Sequence, residues 1–352
     1  MTLITTEVFG LSESRDPHFD ETKIKNLPLG RVLEKQRGEY RVFSNENEIL
    51  CGIRSRLRKS LIYPQSRERR QSVDEIRSIL QIDPVAVGDI VRFTPGENEE
   101  NTGVIEHVEQ RRNQLSRRAS GLKPVESVIC ANVDILFIVF SLKKPVPKPG
   151  MIDRFLIAAN WEDIPAVLVL NKTDLANESD LDNLRNIYNL AGCKILPTCA
   201  LTGDGVPELK NLMVNKTSVL AGPSGTGKSS LLNKIQPGLG LKVSEISKAS
   251  GKGKHTTTHL QAFPLKDGGM VLDTPGIKQL ALWNLEPDEL ITLFPEMEPL
   301  AGKCKFGLSC GHNTEPGCAV KKGVDDGSIH PARYKNLLRI YGELEELYGP
   351  QY

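Results

Sequence analysis

Residues 221–235, "AGPSGTGKSSLLNKI", form the most specific motif of this sequence. Its G-x4-G-K-S spacing places glycines where a backbone curls around a phosphate and turns its N–H groups inward. The strand-like run "TSVLAG" precedes the loop and the helical run "KSSLLNKI" follows it. The pattern therefore predicts a nucleotide-triphosphate site. The residues expected to contact the nucleotide are Gly222, Pro223, Ser224, Gly225, Thr226, Gly227, Lys228, Ser229 and Ser230.

The side chains of this region suggest separate roles. Lys228 is expected to reach the terminal phosphates, and the Ser229 hydroxyl to bind a magnesium ion. A second strand-like run ends in "LDTPG", residues 272–276. It offers Asp273 to the magnesium shell and the N–H of Gly276 to a γ-phosphate. These segments together predict Mg²⁺ bound with the nucleotide.

The identity of the base follows from "VLVLNKTD", residues 167–174. An aspartate carboxylate can accept from the ring N–H and the exocyclic amine of guanine, whereas adenine offers no such donor pair on that edge. Asp174 is therefore expected to select guanine, and "TCALTGDG", residues 198–205, resembles the loop whose backbone touches the guanine carbonyl. Asn171 can pin the neighbouring loops while the Lys172 stem covers the purine face. The expected GTP-binding residues in this segment are Asn171, Lys172, Thr173 and Asp174.

The order of these segments is unusual. Ordinary GTPases begin with the phosphate loop and end with the base-binding segments, whereas here "NKTD" and "TCALTG" precede the phosphate loop, and "HTTT" and "DTPG" follow it. The same parts appear in rotated order. Such a permutation is tolerable because the termini of a domain often lie close together.

Bulk composition is that of a globular protein. The chain has 352 residues, a net charge of +1, 39% hydrophobic and 25% charged residues, and no apolar run long enough for a membrane span. The N-terminus lacks the basic start and apolar core of a secretory signal, so a cytoplasmic location is the expectation. Residues 1–28 are polar and weakly periodic and are interpreted as a flexible leader.

Five β-type runs lie between residues 30 and 110, and no helical stretch of any length is expected between one run and the next. This spacing favours a small closed β-barrel of the oligonucleotide-binding (OB) type, although a five-stranded sandwich fits nearly as well. Residues 54–70 carry seven basic side chains against one acid, and residues 111–118 add four more. These runs are either a solvated face or a surface for phosphate backbones.

From about residue 131 apolar strands alternate with helical patterns, which predicts a parallel sheet covered by helices on both faces. One predicted helix, "SDLDNLRNIYNLAG", opens on Ser179 as its cap and closes on Gly192. A final helix is expected from about Pro331. Between these elements, the spacing C-x5-C-x-H-x5-C gives the ligand set of one structural Zn²⁺ site. Its ligands are Cys304, Cys310, His312 and Cys318.

On these motifs the chain resembles the RsgA (YjeQ/YloQ) family of circularly permuted GTPases from about Gly30 to its end. The resemblance implies a multidomain α/β protein that assists late maturation of the small (30S) ribosomal subunit. It implies an OB-type β-barrel over 29–120, a circularly permuted P-loop GTPase domain over 121–287 and a helical zinc-binding domain over 288–352. The expected partners are GTP or GDP, the small subunit and its rRNA, with no membrane; we expect a monomer.

Hydrolysis needs a group that positions water, and many GTPases place a glutamine after D-x-x-G. Ile277 occupies that place here. The resemblance points to His255 as the catalytic group, although it could equally contact RNA or its own loop. The adjacent Thr256 and Thr257 are candidate magnesium ligands, with an ordinary polar stretch as the alternative. Two other functions stay open: a nucleotide-gated RNA-binding module with negligible turnover, and a P-loop ATPase or kinase, which "NKTD" disfavours.

Overall fold

The computed structural model describes residues 21–36, 38–62, 85–96, 101–118, 126–239, 260–273, 280, 282 and 285–348. The chain divides into two compact units. One is drawn from Met1–Gln114 and Gly121–Asn132, and the other from Leu115–Ser120 and Val133–Tyr352. No helix in the described ranges combines the length and apolarity that a membrane crossing requires.

The first unit is built around five strands. Its elements are α1 (Glu21–Lys25), β1 (Leu29–Gln36), β2 (Glu39–Ser44), β3 (Asn47–Ile53), α2 (Ser55–Ile62), β4 (Ile90–Pro95) and β5 (Thr102–Val108). The strands pair in the order β1-β2-β3-β5-β4, and β4 pairs with β1 to close the ring. Closure confirms the barrel over the open sandwich. The expectation of no helix between the strands was wrong, because α2 follows β3 directly.

The barrel interior follows the period-two alternation of its strands. Inward-facing apolar side chains from all five strands form one cluster, in which Val32, Val42, Cys51, Phe93 and Ile105 are almost completely buried. Alternate residues face outward along these strands except in β1, where the consecutive residues Val32 and Leu33 are both buried. This is why short strands with modest hydrophobicity were sufficient to predict the five strands, although not to separate a barrel from a sandwich.

Arginines at the edges of both basic runs have structural partners: Arg54 pairs with Glu106, and Arg111 pairs with Asp89. The fully buried Asp89 accepts from Arg111 at 2.7 Å to Nε and 2.8 Å to Nη2. The backbone N–H of Ala86 donates to the same carboxylate at 2.7 Å. A two-point arginine–carboxylate contact of this kind fixes geometry strongly. Arg111 therefore anchors the loop before β4 instead of facing a phosphate surface.

The second unit contains a six-stranded sheet with helices along the chain. Strand β6 (Gln114–Arg118) lies almost entirely in this unit, whereas the next strand, β7 (Glu126–Ala131), belongs to the first unit. The elements that follow are β8 (Ile135–Ser141), α3 (Pro149–Trp161), β9 (Ala166–Asn171), α4 (Glu178–Tyr188), β10 (Lys194–Pro197), α5 (Val206–Met213), β11 (Thr217–Ala221), α6 (Lys228–Ile235), β12 (Gln261–Pro264), β13 (Met270–Asp273), α7 (Ala319–Asp325) and α8 (Pro331–Tyr348). The order across the sheet is β10-β9-β8-β11-β13-β12. All neighbours are parallel except β12, which runs antiparallel to β13.

Helices cover both faces of this sheet, as the sequence predicted. Ile135, Phe137 and Val139 of β8 share one apolar cluster with residues of α5 and α6. Phe140 points to the opposite face, where its ring meets that of Phe155 in α3 at 6.3 Å between centroids. Burial on both faces explains why β8 reads as a continuous apolar run.

The predicted cap of α4 was wrong. Asn177, not Ser179, precedes the helix, and its side chain accepts from the N3 backbone N–H. The Asp180 side chain accepts in return from the Asn177 N–H at 3.0 Å, which completes a capping box. Asparagine and serine are comparable caps, so the reciprocal aspartate three residues later decides which of them starts the helix.

The C-terminal helix α8 starts at Pro331 as predicted and packs on α3 through a buried arginine. Arg333, with 1% of its surface exposed, donates to Asp153 of α3 at 2.5 Å and to Glu296 at 2.6 Å. Its guanidinium also lies 4.5 Å from the ring centre of Phe294. Two carboxylates and an aromatic face compensate the burial of this charge.

Candidate functional site

The predicted nucleotide-binding segments meet at one edge of the parallel sheet. Strand β9 ends at Asn171, β10 at Pro197 and β11 at Ala221. Because parallel strands present their carboxyl ends at the same edge, the loops that follow these strands are neighbours. The rotated order of motifs along the chain therefore still gives a single cluster in space.

The phosphate loop adopts a conformation that only glycine permits at two positions. Gly222 has φ 140°, and a Cβ there would lie 2.2 Å from the carbonyl oxygen of Val139. Gly227 has φ 94°, and a Cβ there would lie 2.2 Å from Nδ2 of Asn171. Both positions combine positive φ with backbone or side-chain contact on the side where Cβ would stand. The glycines of this motif are thus required by the packing of the loop itself.

The remaining predicted residues of the loop are placed as follows. Lys228 is buried, and its Nζ donates to the carbonyl oxygens of Gly222 and Pro223, each at 2.8 Å. The Thr226 hydroxyl donates to the same Pro223 carbonyl at 3.0 Å. The hydrogen bonds of Lys228 bend its side chain back over the loop. Ser229 and Ser230 lie in the first turn of α6, and Ser224 and Gly225 form the turn before it.

Asn171 connects three loops with one buried side chain. Its Nδ2 donates to the carbonyl oxygen of Thr226 in the phosphate loop at 2.8 Å. Its Oδ1 accepts from the Thr198 hydroxyl at 3.3 Å and from the Ala200 N–H at 3.2 Å. Only 1% of Asn171 is exposed, so these contacts are made without competition from water. The expectation that this residue pins neighbouring loops agrees with these contacts.

Lys172 lies across the same junction. Its Nζ donates to the carbonyl oxygen of Gly225 at 2.5 Å and to that of Lys144 at 2.8 Å. Lys144 has φ 49° and Lys172 has φ 62°, a left-handed conformation that non-glycine residues adopt at a cost of about 1 kcal/mol or more. A hydrogen bond joins these two residues, so contacts between the loops hold the backbone in a conformation that it would not adopt by local preference.

Sequence reasoning missed a residue beside Asp174. The buried thiol of Cys199 donates to Asp174 Oδ1 at 3.1 Å, and Sγ accepts from the Thr202 N–H at 3.5 Å. Thr173 bonds through its backbone N–H and its hydroxyl to the carbonyl oxygen of Thr198, each at 3.3 Å. The signal that could have found Cys199 is its place in "TCALTGDG", where only the backbone was considered.

Two charged groups of opposite sign face the end of the phosphate loop. Burial lowers the pKa of Lys228 to about 8, although the charge of Asp273 acts to raise it. Burial also raises the pKa of Asp273, and the charge of Lys228 opposes that rise. Among the residues that the structure describes, Asp273 Oδ1 has no hydrogen-bond partner although it is buried. An unsatisfied carboxylate oxygen beside a phosphate loop fits a ligand to a hard cation such as Mg²⁺.

Four further predicted site residues cannot be placed. His255, Thr256, Thr257 and Gly276 lie outside the described residues. The chemistry assigned to them stays a prediction.

A cluster of soft ligands lies in the C-terminal part of the second unit. The ligand atoms of its four buried residues all lie within 4.8 Å of one another, a set that could hold a metal ion: Cys304, Cys310, His312 and Cys318. His312 Nδ1 is 3.5 Å from Sγ of both Cys304 and Cys318. Burial lowers the pKa of His312, which favours the neutral imidazole that binds metals.

The backbone around this cluster is held by polar contacts. Glu315 accepts from the N–H groups of Gly311 and Asn313, both at 2.9 Å. The Tyr334 hydroxyl of α8 donates to the carbonyl oxygen of His312 at 2.7 Å. The N–H of Ala319 points at Cys304 Sγ at 3.3 Å. Contacts of this kind orient metal ligands and support charge on a thiolate.

Comparison with known proteins agrees with this architecture. A family model described as RsgA GTPase matches residues 108–283. A small ribosomal subunit biogenesis GTPase RsgA from Moorella thermoacetica is 39% identical over 317 residues, which cover 90% of this chain and 97% of that relative. The crystal structure of YjeQ from Thermotoga maritima is 34% identical with a TM-score of 0.68, covering 90% of this chain and 98% of that one.

A second solved structure, described as YloQ, a circularly permuted GTPase, is 26% identical with a TM-score of 0.64. The match covers 94% of this chain and 98% of that one. The barrel, the rotated order of the nucleotide-binding segments and the cysteine–histidine cluster thus occur in a chain that is similar to these proteins over almost its whole length. The chain belongs to the RsgA GTPase family.

Proposed function

We propose that this protein binds and hydrolyses GTP as a late-stage assembly factor of the small ribosomal subunit. The observation that carries the proposal is the position of Asn171, which joins the phosphate loop to the "NKTD" and "TCALTG" segments. These segments are far apart and permuted in sequence, and a guanine nucleotide is the ligand that needs all three. The names of the similar proteins support the link to the small subunit.

In this proposal each segment binds one part of the nucleotide. The backbone N–H groups from Gly222 to Ser230 surround the phosphates, and Lys228 leaves the loop carbonyls to neutralise phosphate charge. Asp174, oriented by Cys199, accepts from the guanine edge, while Lys172 lies along the base. Thr173 precedes Asp174 in the same segment, and its hydrogen bonds to the Thr198 carbonyl oxygen would help to position the Asp174 side chain.

Magnesium would be held by Ser229, Asp273 and one of Thr256 and Thr257. The buried oxygen of Asp273 supports this assignment. When bound, the ion neutralises charge that develops between the β- and γ-phosphates. Gly276 would donate its N–H to the γ-phosphate and His255 would orient the attacking water, because Ile277 has no side-chain donor or acceptor.

The regions outside the nucleotide site would bind rRNA. We assign residues 29–120 to an RNA-binding barrel, 121–287 to the GTPase domain and 288–352 to a zinc-binding domain, with 1–28 as a leader. Three thiolates and one imidazole are a preferred donor set for structural zinc. Burial of all four residues supports a closed structural site without an open catalytic position.

Multiple-turnover phosphate release tests the proposal. Purified protein is incubated with GTP or ATP, with and without purified small subunits, at matched salt. We expect slow release from GTP alone, strong stimulation by subunits and negligible release from ATP. Ile277 motivates one competing function, an RNA-binding module that uses GTP only as a gate. Subunit binding that depends on GTP but leaves turnover unstimulated would favour that module.

A further inference from the structure

Two loops border the part of the site that would receive the base. Residues 142–148 connect β8 to α3, and residues 172–177 connect β9 to α4. The Leu142 N–H donates to the Asn171 carbonyl oxygen at 3.0 Å, so the loops start from adjacent points. Farther along, the Lys172 Nζ donates to the Lys144 carbonyl oxygen at 2.8 Å. A single carboxylate, that of Asp180 in the first turn of α4, contacts both loops.

Lys143 connects Asp180 to the first loop. Its Nζ lies 2.9 Å from Asp180 Oδ1 and 2.8 Å from Oδ2. The Lys143 carbonyl oxygen accepts from the buried Ser141 hydroxyl, so both its backbone and its side chain are held. The next residue is Lys144, whose left-handed backbone turns its carbonyl oxygen toward Lys172. The ion pair is thus one residue away from a direct contact with the nucleotide-binding segment.

The second loop is held by the other role of Asp180. Its Oδ2 accepts from the N–H of Asn177 as half of the capping box of α4. Asn177 follows Asp174 by three residues, and Asp174 itself lies in a short 3₁₀ turn, Thr173–Leu175. The cap therefore fixes the end of the segment that begins with the base-selecting carboxylate.

We propose that Asp180 and Lys143 form a positioning pair that holds these two loops together and slows the release of guanine nucleotides. The inference rests on the proposed GTP site but concerns residues outside it. Release requires the Lys172 stem and Asp174 to separate from the base. Fixing the loops that carry Lys144 and Asp174 makes that separation less frequent.

The charge state and exposure of the pair set the size of this effect. The hydrogen bond from Lys143, followed by that from the Asn177 N–H, lowers the pKa of Asp180, so the carboxylate is ionised at neutral pH. The Lys143 side chain is 36% exposed and the Asp180 side chain is 29% exposed. A partly exposed ion pair has a modest and salt-sensitive energy. We therefore expect a change of about two- to fivefold in dissociation rate.

The test is the dissociation rate of a fluorescent GDP analogue, chased with excess GDP in a stopped-flow instrument. Lys143→Met removes the charge without touching the capping box. Lys148→Met is the matched control, because it removes an exposed lysine from the same loop. We expect faster release from Lys143→Met and parent-like release from Lys148→Met. Lys143→Arg, which keeps the charge, should restore most of the parent rate.

Salt separates positioning from general loss of structure. Sodium chloride should speed release from the parent and affect Lys143→Met much less, since the ion pair is already gone. Equal release from Lys143→Met and Lys148→Met, with parent-like melting temperatures, would overturn the inference. Release from Lys143→Arg that is as fast as release from Lys143→Met would also overturn the inference. Failure of the parent to bind GDP would contradict the proposed function and this inference together, whereas binding with unchanged rates contradicts the inference alone.

Discussion

Asn171 shows how a permuted chain can rebuild a nucleotide site, because its one amide group makes hydrogen bonds to two loops from different parts of the sequence. Asn171→Ala should weaken guanine nucleotide binding by roughly tenfold to a hundredfold, since the buried Thr226 carbonyl oxygen and the partly buried Ala200 N–H both lose this partner. Equilibrium titration with a fluorescent GDP analogue measures the loss.

The matched control for that prediction is Asn160→Ala. Asn160 also uses its Nδ2 to bridge elements, with a 2.9 Å hydrogen bond to the Leu293 carbonyl oxygen, but it lies in α3 outside the nucleotide segments. Its removal should lower the melting temperature and leave affinity unchanged. Equal loss of affinity in both variants would show that Asn171 acts only through stability.

The buried lysine of the phosphate loop predicts a pH dependence. Burial lowers the pKa of Lys228 to about 8 without ligand, and phosphate charge should raise that pKa when a nucleotide binds. Binding above neutral pH must then take up a proton. Affinity should fall as the pH rises through about 8, with an uptake near half a proton at that pH.

Calorimetric titration with GDP in buffers of different ionisation enthalpy measures this uptake directly. For the protein without nucleotide, the lowered pKa of Lys228 makes the stability of the fold increase with pH. A lysine whose pKa is lower when folded makes the fold more stable as the pH rises from that value toward its unfolded pKa. Absence of linked protons at pH near 8 would contradict the assignment of Lys228 to the phosphates.

At the scale of elements, the segment that carries the four soft ligands contains one short 3₁₀ turn, Gly307–Ser309, and otherwise only turns and bends. Metal binding is therefore expected to stabilise it. Cys310→Ser should reduce zinc to well below one ion per chain and expose the segment to protease, while GDP affinity stays within about twofold. Elemental analysis and limited proteolysis provide the measurements.

Cys193→Ser serves as the control in that experiment, because Cys193 lies outside the cluster. It should keep a full complement of zinc. Full zinc in Cys310→Ser, or a segment that resists protease equally with and without a chelator, would contradict a structural metal at this position.

The sequence predicted those elements whose signal is local. The five barrel strands and the parallel strands β8, β9, β10, β11 and β13 follow from apolar runs between turn residues. Strand β12 was not predicted, because Gln261–Pro264 is too short and too polar to stand out without its partner β13. Its pairing is decided by contacts that are distant in sequence.

The site was predictable to the same extent and for the same reason. Glycines and Lys228 form a motif with fixed spacing, so their geometry could be anticipated. Cys199 and Asp180 act through contacts with Asp174 and Lys143, and no spacing rule connects these pairs. The buried position of Arg333 was likewise hidden, because a charged residue at the start of a helix normally indicates an exposed face.

At the scale of the whole molecule, Arg333 links the C-terminal helix to the sheet-covering helix α3. Arg333→Met should lower the free energy of unfolding by about 3–5 kcal/mol, because it leaves the buried carboxylate of Asp153 without its charge partner. Chemical denaturation followed by circular dichroism measures the change. Burial already raises the pKa of Asp153, so the loss should be smaller at low pH, where the carboxyl group is neutral.

Arg185→Met is the comparison for Arg333→Met, since Arg185 makes an exposed ion pair with Asp182 at 3.2 Å. It should change the stability by less than about 1 kcal/mol. Similar effects of the two substitutions would mean that the buried network contributes no more than a surface pair. The linkage between α8 and α3 would then rest on their other contacts, such as the hydrogen bond from Asn336 to Asp153 and the ion pair between Arg154 and Glu343.

If the permuted segments assemble one guanine-specific site, its base selectivity should depend on Asp174. Asp174→Asn replaces one acceptor with a donor, yet Asn Oδ1 can still accept from the Cys199 thiol, so the local structure should persist. The decisive measurement is kcat/KM for GTP and for xanthosine triphosphate, with small subunits present. We predict that the substitution shifts their ratio by at least about a hundredfold toward xanthosine triphosphate. An unchanged preference for GTP in a correctly folded Asp174→Asn protein would contradict the account.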